Sequence, residues 1–291
     1  WVHDVFALAA AGLALYHVFR VNYYTSSVAL RIVWIASASL WGVMVLYARI
    51  IRPWILSRRP YRVAQLVEER DAAWTLSLEP MGHAGLTFYP GQFAWLHVWR
   101  SPMAIEHHPF SFSSSAEFKK RIEFTIKELG DWTAQIKDVQ VGQRVHVDGP
   151  YGIFSPDVHG APGFVFIAGG IGSAPILSML RTFADRGDGR PLLLFYGSQT
   201  WEGVIYREEI EALKARLNLL VVYVLEEPPE DWDGETGFIT PQMLDRYLPE
   251  DRANRQYFIS GPLPMIDSIE ASLEKVGIPG SRVQSEKYEM A

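Results

Sequence analysis

The 291-residue chain contains no cysteine. That absence excludes a disulfide framework, a thiolate metal site, a cysteine nucleophile and an iron–sulfur cluster held within the chain. An excess of positive charge is also missing: 27 Lys and Arg stand against 33 Asp and Glu, a formal net charge of −6. Chains built to bind nucleic acid are basic, so no nucleic-acid partner is expected. Hydrophobic residues make up 48% of the chain and charged residues 21%, which excludes a fully disordered polymer. The length suggests about two domains at roughly 150 residues each.

Acidic charge is nearly absent from the start of the chain. Residues 1–59 hold six Arg, one Asp and no Lys or Glu, a net of +5, whereas residues 60–291 carry −11. The chain begins at Trp1 rather than Met, which suggests a fragment or a processed product. Ile32 to Ala48 is uncharged over 17 residues and bordered by Arg31 and Arg49. At 1.5 Å per residue it covers roughly 26 Å, enough for a hydrocarbon core. Val5 to Phe19, ended by Arg20, is a second uncharged stretch that reaches spanning length if Trp1 to Tyr24 is one helix. Trp1, Tyr23, Tyr24, Trp34, Trp41, Tyr47 and Trp54 supply candidates for an interfacial belt. The expectation is a transmembrane helix pair at 1–57, against the blander reading of a buried hairpin in a soluble protein. A signal peptide does not fit, because a basic start is lacking and a second apolar span follows. Arg49, Arg52, Arg58 and Arg59 mark the cytoplasmic side. A multi-pass membrane location is therefore expected, with the body after residue 60 in the cytoplasm and the loop at 21–30 outside.

His3 and His17 lie 14 residues apart, about 3.9 turns, so a helix would place them near one face and roughly 21 Å apart. Imidazoles at membrane depth are candidate iron ligands for haem b. Equally, His3 is simply interfacial and His17 hydrogen-bonds a neighbouring helix. The other histidines lie in the body, so this chain supplies one axial ligand per haem and the rest must come from helices outside it.

Residues 58–158 read as short strands separated by turns: 62–68, 73–78, 93–98, 111–113, 122–127 and 144–148, the pattern of a small antiparallel β-barrel. Within it, His108-Pro109-Phe110-Ser111 followed by Phe112 and Ser113 to Ser115 places an aromatic ring, hydroxyls and a potential cation on one extended segment. Such a segment suits a planar ring with a phosphate tail; an ordinary Ser-rich strand end is the alternative. Gly130-Asp131-Trp132-Thr133 opens a short helix expected at 131–139, a phosphate-attracting start or a plain cap.

Residues 159–291 alternate strand and helix, the signature of an α/β doubly wound parallel sheet. Expected strands are 164–168, 192–196, 219–225, 257–260 and 283–286, with helices from about 173 to 183, 206 to 216, 241 to 247 and through 275. Gly169 to Pro175 follows a strand and opens a helix, the geometry of a dinucleotide pyrophosphate site, although its spacing is not GxGxxG.

Taken in order, PGQF at 90–93, HPFS at 108–111, GDWT at 130–133, DGPYG at 148–152, AGGIGSAP at 168–175, FYGSQ at 195–199, ISGP at 259–262 and EKYEM at 286–290 resemble the ferredoxin–NADP reductase superfamily. The set looks most like its membrane branch of ferric reductases and NADPH oxidases, whose last two haem-domain helices the first 57 residues resemble. The resemblance implies that Phe110 lies against the flavin of FAD, Ser111 near its N5 and His108 toward its phosphates, with Pro109 in the same segment. It implies that Gly130, Asp131, Trp132 and Thr133 meet the FAD pyrophosphate, and that Gly170, Gly172, Ser173 and Pro175 meet the nicotinamide dinucleotide. Gly261 and Pro262 would lie near the nicotinamide, and Tyr288 would cover the flavin. Ser260 stands where the family often has Cys, and Gln199 where NADPH-selective relatives carry Arg; Ser198 and Arg207 are candidates to compensate. The implied activity is electron transfer from NADPH (or NADH) through FAD to haem b and on to ferric iron or oxygen across the bilayer. Two rivals remain: an anchored reductase serving a soluble acceptor, and a non-catalytic flavin-fold subunit.

Overall fold

The computed structural model describes residues 2–103 and 108–288, with side chains for 5–103 and 108–287. Trp1 and the side chains of His3 and Tyr288 lie outside the described residues. The chain divides into two units, residues 1–59 with 99–107, and residues 60–98 with 108–291.

The first unit contains α1 (Val2–Val21) and α2 (Val28–Leu46), then a π-helical turn (Tyr47–Ile51) and α3 (Arg52–Ser57). From Val28 to Ser57 the helix runs on for 30 residues, beyond both arginines expected to border it. At its start the Ser27 hydroxyl accepts the Leu30 N–H at 3.3 Å. Arg31 does not end the helix, because its guanidinium folds back to donate to the Thr25 carbonyl (2.7 Å) and the Asn22 side chain (3.2 Å). At the other end, the wide π turn precedes Pro53, whose missing N–H a helix tolerates near a start. The whole helix is long and apolar enough to cross a bilayer, and none of α2 is buried; the apolar part of α1, Val5–Val21, is shorter.

The second unit begins with six antiparallel strands: β1 (Tyr61–Glu68), β2 (Ala73–Pro80), β3 (Phe93–His97), β4 (His108–Ser111), β5 (Ile122–Lys127) and β6 (Arg144–Tyr151). Their order is β4-β3-β6-β1-β2-β5. A bridge between Phe112 and Phe124, with Ser113 N–H donating to the Glu123 carbonyl at 2.8 Å, joins the two edges and closes the barrel. Phe112 is the plug of that closure, 4.0 Å from the Phe88 ring and 4.8 Å from Phe124, centroid to centroid. Strand β4 starts at His108 rather than 111, because Leu96 to Phe93 pair with His108 to Ser111. The helix expected at 131–139 is a 3₁₀ segment, Thr133–Asp138.

The parallel half comprises β7 (Phe164–Gly169), α4 (Ser173–Arg186), β8 (Leu192–Ser198), α5 (Arg207–Leu213), β9 (Leu219–Leu225), β10 (Glu235–Thr236), α6 (Pro241–Tyr247), β11 (Gln256–Pro262), α7 (Leu263–Lys275) and β12 (Val283–Tyr288). The sheet order is β10-β9-β8-β7-β11-β12, all parallel. Every residue of β7 is buried, as a central strand covered by helices on both faces requires. The two-residue β10 is an addition that the sequence pattern misses.

Under the barrel wall, Thr75 donates to Glu69 at 2.7 Å and shares a hydrogen bond with Thr125 at 2.9 Å. Burial pushes the Glu69 carboxyl above its ordinary value, and the Thr75 hydrogen bond opposes this only in part. Two outcomes are expected. Phe112→Ala should cost about 3–5 kcal/mol in denaturant unfolding. For Glu69, the unfolded chain loses its proton near pH 4.5 while the folded chain still holds it, so stability falls as pH rises through that window. Glu69→Gln should therefore melt at or above wild type at pH 7 and match it at pH 4.

Candidate active site

The neighbour of β7 that follows it in sequence, β8, lies on one side, whereas β12 follows β11 on the other. This is a topological switch point, and open parallel sheets bind ligands at the strand ends beside it. Two turns meet there. Gly170 has φ +53° and open space where a side chain would be. A Cβ on Gly172 would lie 2.2 Å from the Ser260 carbonyl oxygen, so the loop touches the end of β11 only as glycine. Ser173 then begins α4, whose first N–H groups lack helical partners and attract anions. Pro175 is buried in that first turn, where its missing N–H does no harm. Tyr196 braces the loop from below: its hydroxyl donates to the Gly170 carbonyl (3.4 Å) and accepts from Ile205 N–H (3.1 Å). Burial drives that phenol's pKa upward, which keeps it a donor. The loop geometry fits a dinucleotide pyrophosphate.

On the barrel side, β4 carries His108, Pro109, Phe110 and Ser111 along its pairing with β3. The Trp132 ring stacks on Phe110 at 5.5 Å and 22° and approaches His108 at 4.4 Å. Trp132 thus packs on the segment expected to hold the flavin. Thr133 folds the preceding turn, accepting from Leu129 and Gly130 N–H at 2.9 Å and donating to the Gly130 carbonyl at 3.0 Å. The Asp131 carbonyl accepts from Gln135 at 2.8 Å. The Gly130 amide is therefore already bonded within the protein.

At the strand ends beside the switch point, three side chains from the two halves lie near one another. Ser111 Oγ donates to Glu286 Oε2 at 3.2 Å. Glu286 lies opposite Ser260 in the β11–β12 register, two residues before the pair Pro262–Tyr288. Ser260 is fully buried, and among the described residues its hydroxyl has no hydrogen-bond partner, which fits a contact left for a bound group. The sequence quotes Glu286 only as part of a tail motif; its partner is 175 residues away and leaves no local signal. Tyr196 was missed too, appearing only inside FYGSQ.

Gln199 donates to Glu227 at 3.0 Å, Ser198 Oγ donates to the Thr200 carbonyl at 2.9 Å, and Arg207 bonds the Trp201 carbonyl (3.2 Å) and lies over the Trp201 ring at 4.5 Å. His17 is exposed on α1, and no second histidine side chain is described in the helices. Among the described residues nothing completes a bis-histidine haem site, and no cluster of three or more metal-ligating side chains occurs.

Two family models match the chain: an FAD-binding domain over residues 75–155 and an oxidoreductase NAD-binding domain over 166–271. Among curated proteins, the chain is 33% identical over 224 residues to the propane 2-monooxygenase reductase component of Rhodococcus jostii, covering 74% of this chain and 59% of that protein. It is 31% identical over 167 residues to NADH-cytochrome b5 reductase 1 of Pyricularia oryzae, covering 55% and 54%. The chain thus spans little more than half the length of these relatives. Among solved structures, it is similar to the flavohaem-like FAD/NAD-binding domain of nitric oxide dioxygenase from Vibrio cholerae, with TM-score 0.71 and 20% identity over 79% of this chain and 98% of that one. It also resembles the ferredoxin reductase of carbazole 1,9a-dioxygenase, with TM-score 0.67 and 25% identity over 79% and 69%. Gly172→Ala should weaken dinucleotide binding tenfold or more, about 1.4 kcal/mol, while leaving bound FAD in place, as read by calorimetry with NAD+ and by flavin absorbance.

Proposed function

Because the chain belongs to the ferredoxin–NADP reductase superfamily, carrying its FAD-binding and oxidoreductase NAD-binding domains in that order, we propose that it oxidises a reduced nicotinamide dinucleotide and passes the electrons onward through FAD. The observation that carries this reading is the meeting of Ser111, on the flavin strand, with Glu286 beside the orphaned Ser260 hydroxyl at the dinucleotide loop. The chemistry supplied by FAD, when bound, is acceptance of a hydride from the reduced nicotinamide and release of its two electrons singly. The chain binds, orients and shields. Gly170, Gly172 and the start of α4 hold the dinucleotide, Phe110 and Trp132 wall one side of the ring site, and Ser111 and Ser260 offer hydroxyls to the two reacting rings.

The preferred donor is NADH. Gln199 is tied to Glu227, and the backbone N–H groups of Glu226 and Glu227 bond the carbonyls of Ser198 and Gln199 at 3.1 and 2.8 Å. Two carboxylates at that strand end oppose a 2′-phosphate, and Arg207 is committed to Trp201 and Glu208. The similarity to an NADH-cytochrome b5 reductase supports this preference.

The exposed apolar helix from Val28 to Ser57 supports attachment to a bilayer, with the flavin body cytoplasmic by the arginines at its end. Relatives that are reductase components of monooxygenases support a redox protein as acceptor. A second reading, favoured by His17 on α1, has haem b between this helix and helices outside the chain and delivers electrons to ferric iron or oxygen.

NADH without oxygen should bleach the flavin absorbance of the purified protein, with kcat/KM at least tenfold above that for NADPH, about 1.4 kcal/mol in barrier; retained FAD without bleaching would refute the enzyme reading. Glu227→Gln should narrow the NADH preference. His17→Ala with unchanged haem content and acceptor reduction would dismiss the second reading.

A further inference from the structure

The serines after β4 are bonded within the protein. Ser113 Oγ bonds Thr125 at 3.1 Å, and Ser114 Oγ accepts the Glu123 N–H at 3.0 Å. Their backbone is held by one face of α4. Ser178 Oγ donates to the Ser114 carbonyl (2.7 Å), Arg181 Nη1 to the Ser113 carbonyl and to Glu123 (both 2.9 Å), and the Ala116 N–H to Thr182 Oγ1 (2.9 Å). One turn later Arg186 donates to Glu117 at 2.7 Å. Positions 178, 181, 182 and 186 share a helix face by the i, i+3, i+4, i+8 spacing. The same guanidinium of Arg181 is gripped from its own side by Glu209 on α5 through two bonds of 2.6 and 2.7 Å.

We propose that this face of α4 is a positioning seam, with Arg181 as its key positioning residue, that sets the separation of flavin and nicotinamide. The statement rests on the reductase reading above. The geometry is that of a short lever. Ser113 is two residues from the flavin-strand Ser111, and Arg181 is eight residues, about 12 Å of helix, from Ser173 at the dinucleotide loop. A slip at the seam is therefore transmitted to both ring sites. Reacting atoms must approach to about 3–3.5 Å, and a misplacement of about 1 Å can cost a hundredfold in rate. A cleft of about 280 Å³ runs along the seam, lined among others by Arg121, Glu123, Arg181, Glu209 and Arg216. Its guanidiniums are matched by carboxylates: Arg121 by Glu79 (3.2 Å), Arg216 by Asp185 (3.0 Å) and Arg181 by Glu123 and Glu209. That balance suits a fixed joint rather than an anion site.

The test uses the full chain with FAD bound and three variants: Arg181→Gln, Arg181→Lys, and Ser178→Ala combined with Thr182→Val. Anaerobic stopped flow with saturating NADH gives the flavin-reduction rate, NAD+ titration gives affinity, and hydrogen exchange of residues 113–117 reports the seam without turnover. Arg181→Gln should slow flavin reduction about tenfold or more, keep FAD, and leave NAD+ affinity within about twofold. Arg181→Lys should recover part of the rate, and the double variant should be slower than wild type with faster exchange at Ala116. If Arg181→Gln does not retain FAD, the double variant decides. Reduction rates equal to wild type in the folded variants overturn the seam while the reductase reading stands; failure of wild type itself to be reduced overturns both.

Discussion

For the reductase we propose, hydride transfer tolerates little slack, and that requirement is the constraint on which the rest of the molecule depends. Two planar rings bound by two different folds must meet face to face. A barrel can present one ring and a parallel sheet the other, but neither fold fixes the distance between them. Here the carboxyl end of β11 and the end of β4 are brought to one place, with Glu286 reaching Ser111 across the junction. The glycine loop can lie against β11 only because Gly172 has no Cβ to strike the Ser260 carbonyl.

Polar bonds join apolar packing at this junction, where Phe154 meets the Phe258 ring at 5.2 Å. Each neutral hydrogen bond across it contributes about 0.5–1.5 kcal/mol net, and bonds to charged groups about 1.5–3. Arg181 is the largest single commitment. Burial opposes its charge, yet Glu209 and Glu123 more than offset that, and the guanidinium stays protonated. Removing one partner from such a largely buried group costs more than the pair contributes, because a charge is left unanswered. Polar bonds of this kind also fix direction, which an apolar joint between barrel and sheet would not. Apolar packing does the bulk of the folding work, in the Phe112–Phe124 barrel core and the two faces of the sheet around Phe166 and Ile259.

Much of this was legible in the sequence where periodicity was strong. Phe164 to Ala168 and Leu219 to Leu225 read as buried strands because apolar runs bounded by glycine or polar residues have few other uses. Strand β4 starts three residues before the expected 111 and includes Pro109, whose missing N–H costs no ladder bond at the end of the sheet order. Arg31 looked like a helix boundary, yet its long stem lets it turn back to the 22–25 turn while the helix continues. Ser113 and Ser114, in the Ser-rich stretch after β4, bond Thr125, the Glu123 N–H and α4. The contacts of Glu286 and Arg181 leave no local signal, since their partners are 175 and 58 or 68 residues away. Pattern reveals elements; it does not reveal which distant side chains meet.

The most direct measurement is the anaerobic rate of flavin bleaching with NADH carrying deuterium at the transferring C4 position. Direct ring-to-ring transfer at the Ser111–Glu286 junction gives a severalfold slower rate for deuterium on one face of the nicotinamide and none on the other. Bleaching that is indifferent to deuterium on either face, or absent from protein that retains its FAD, would contradict it.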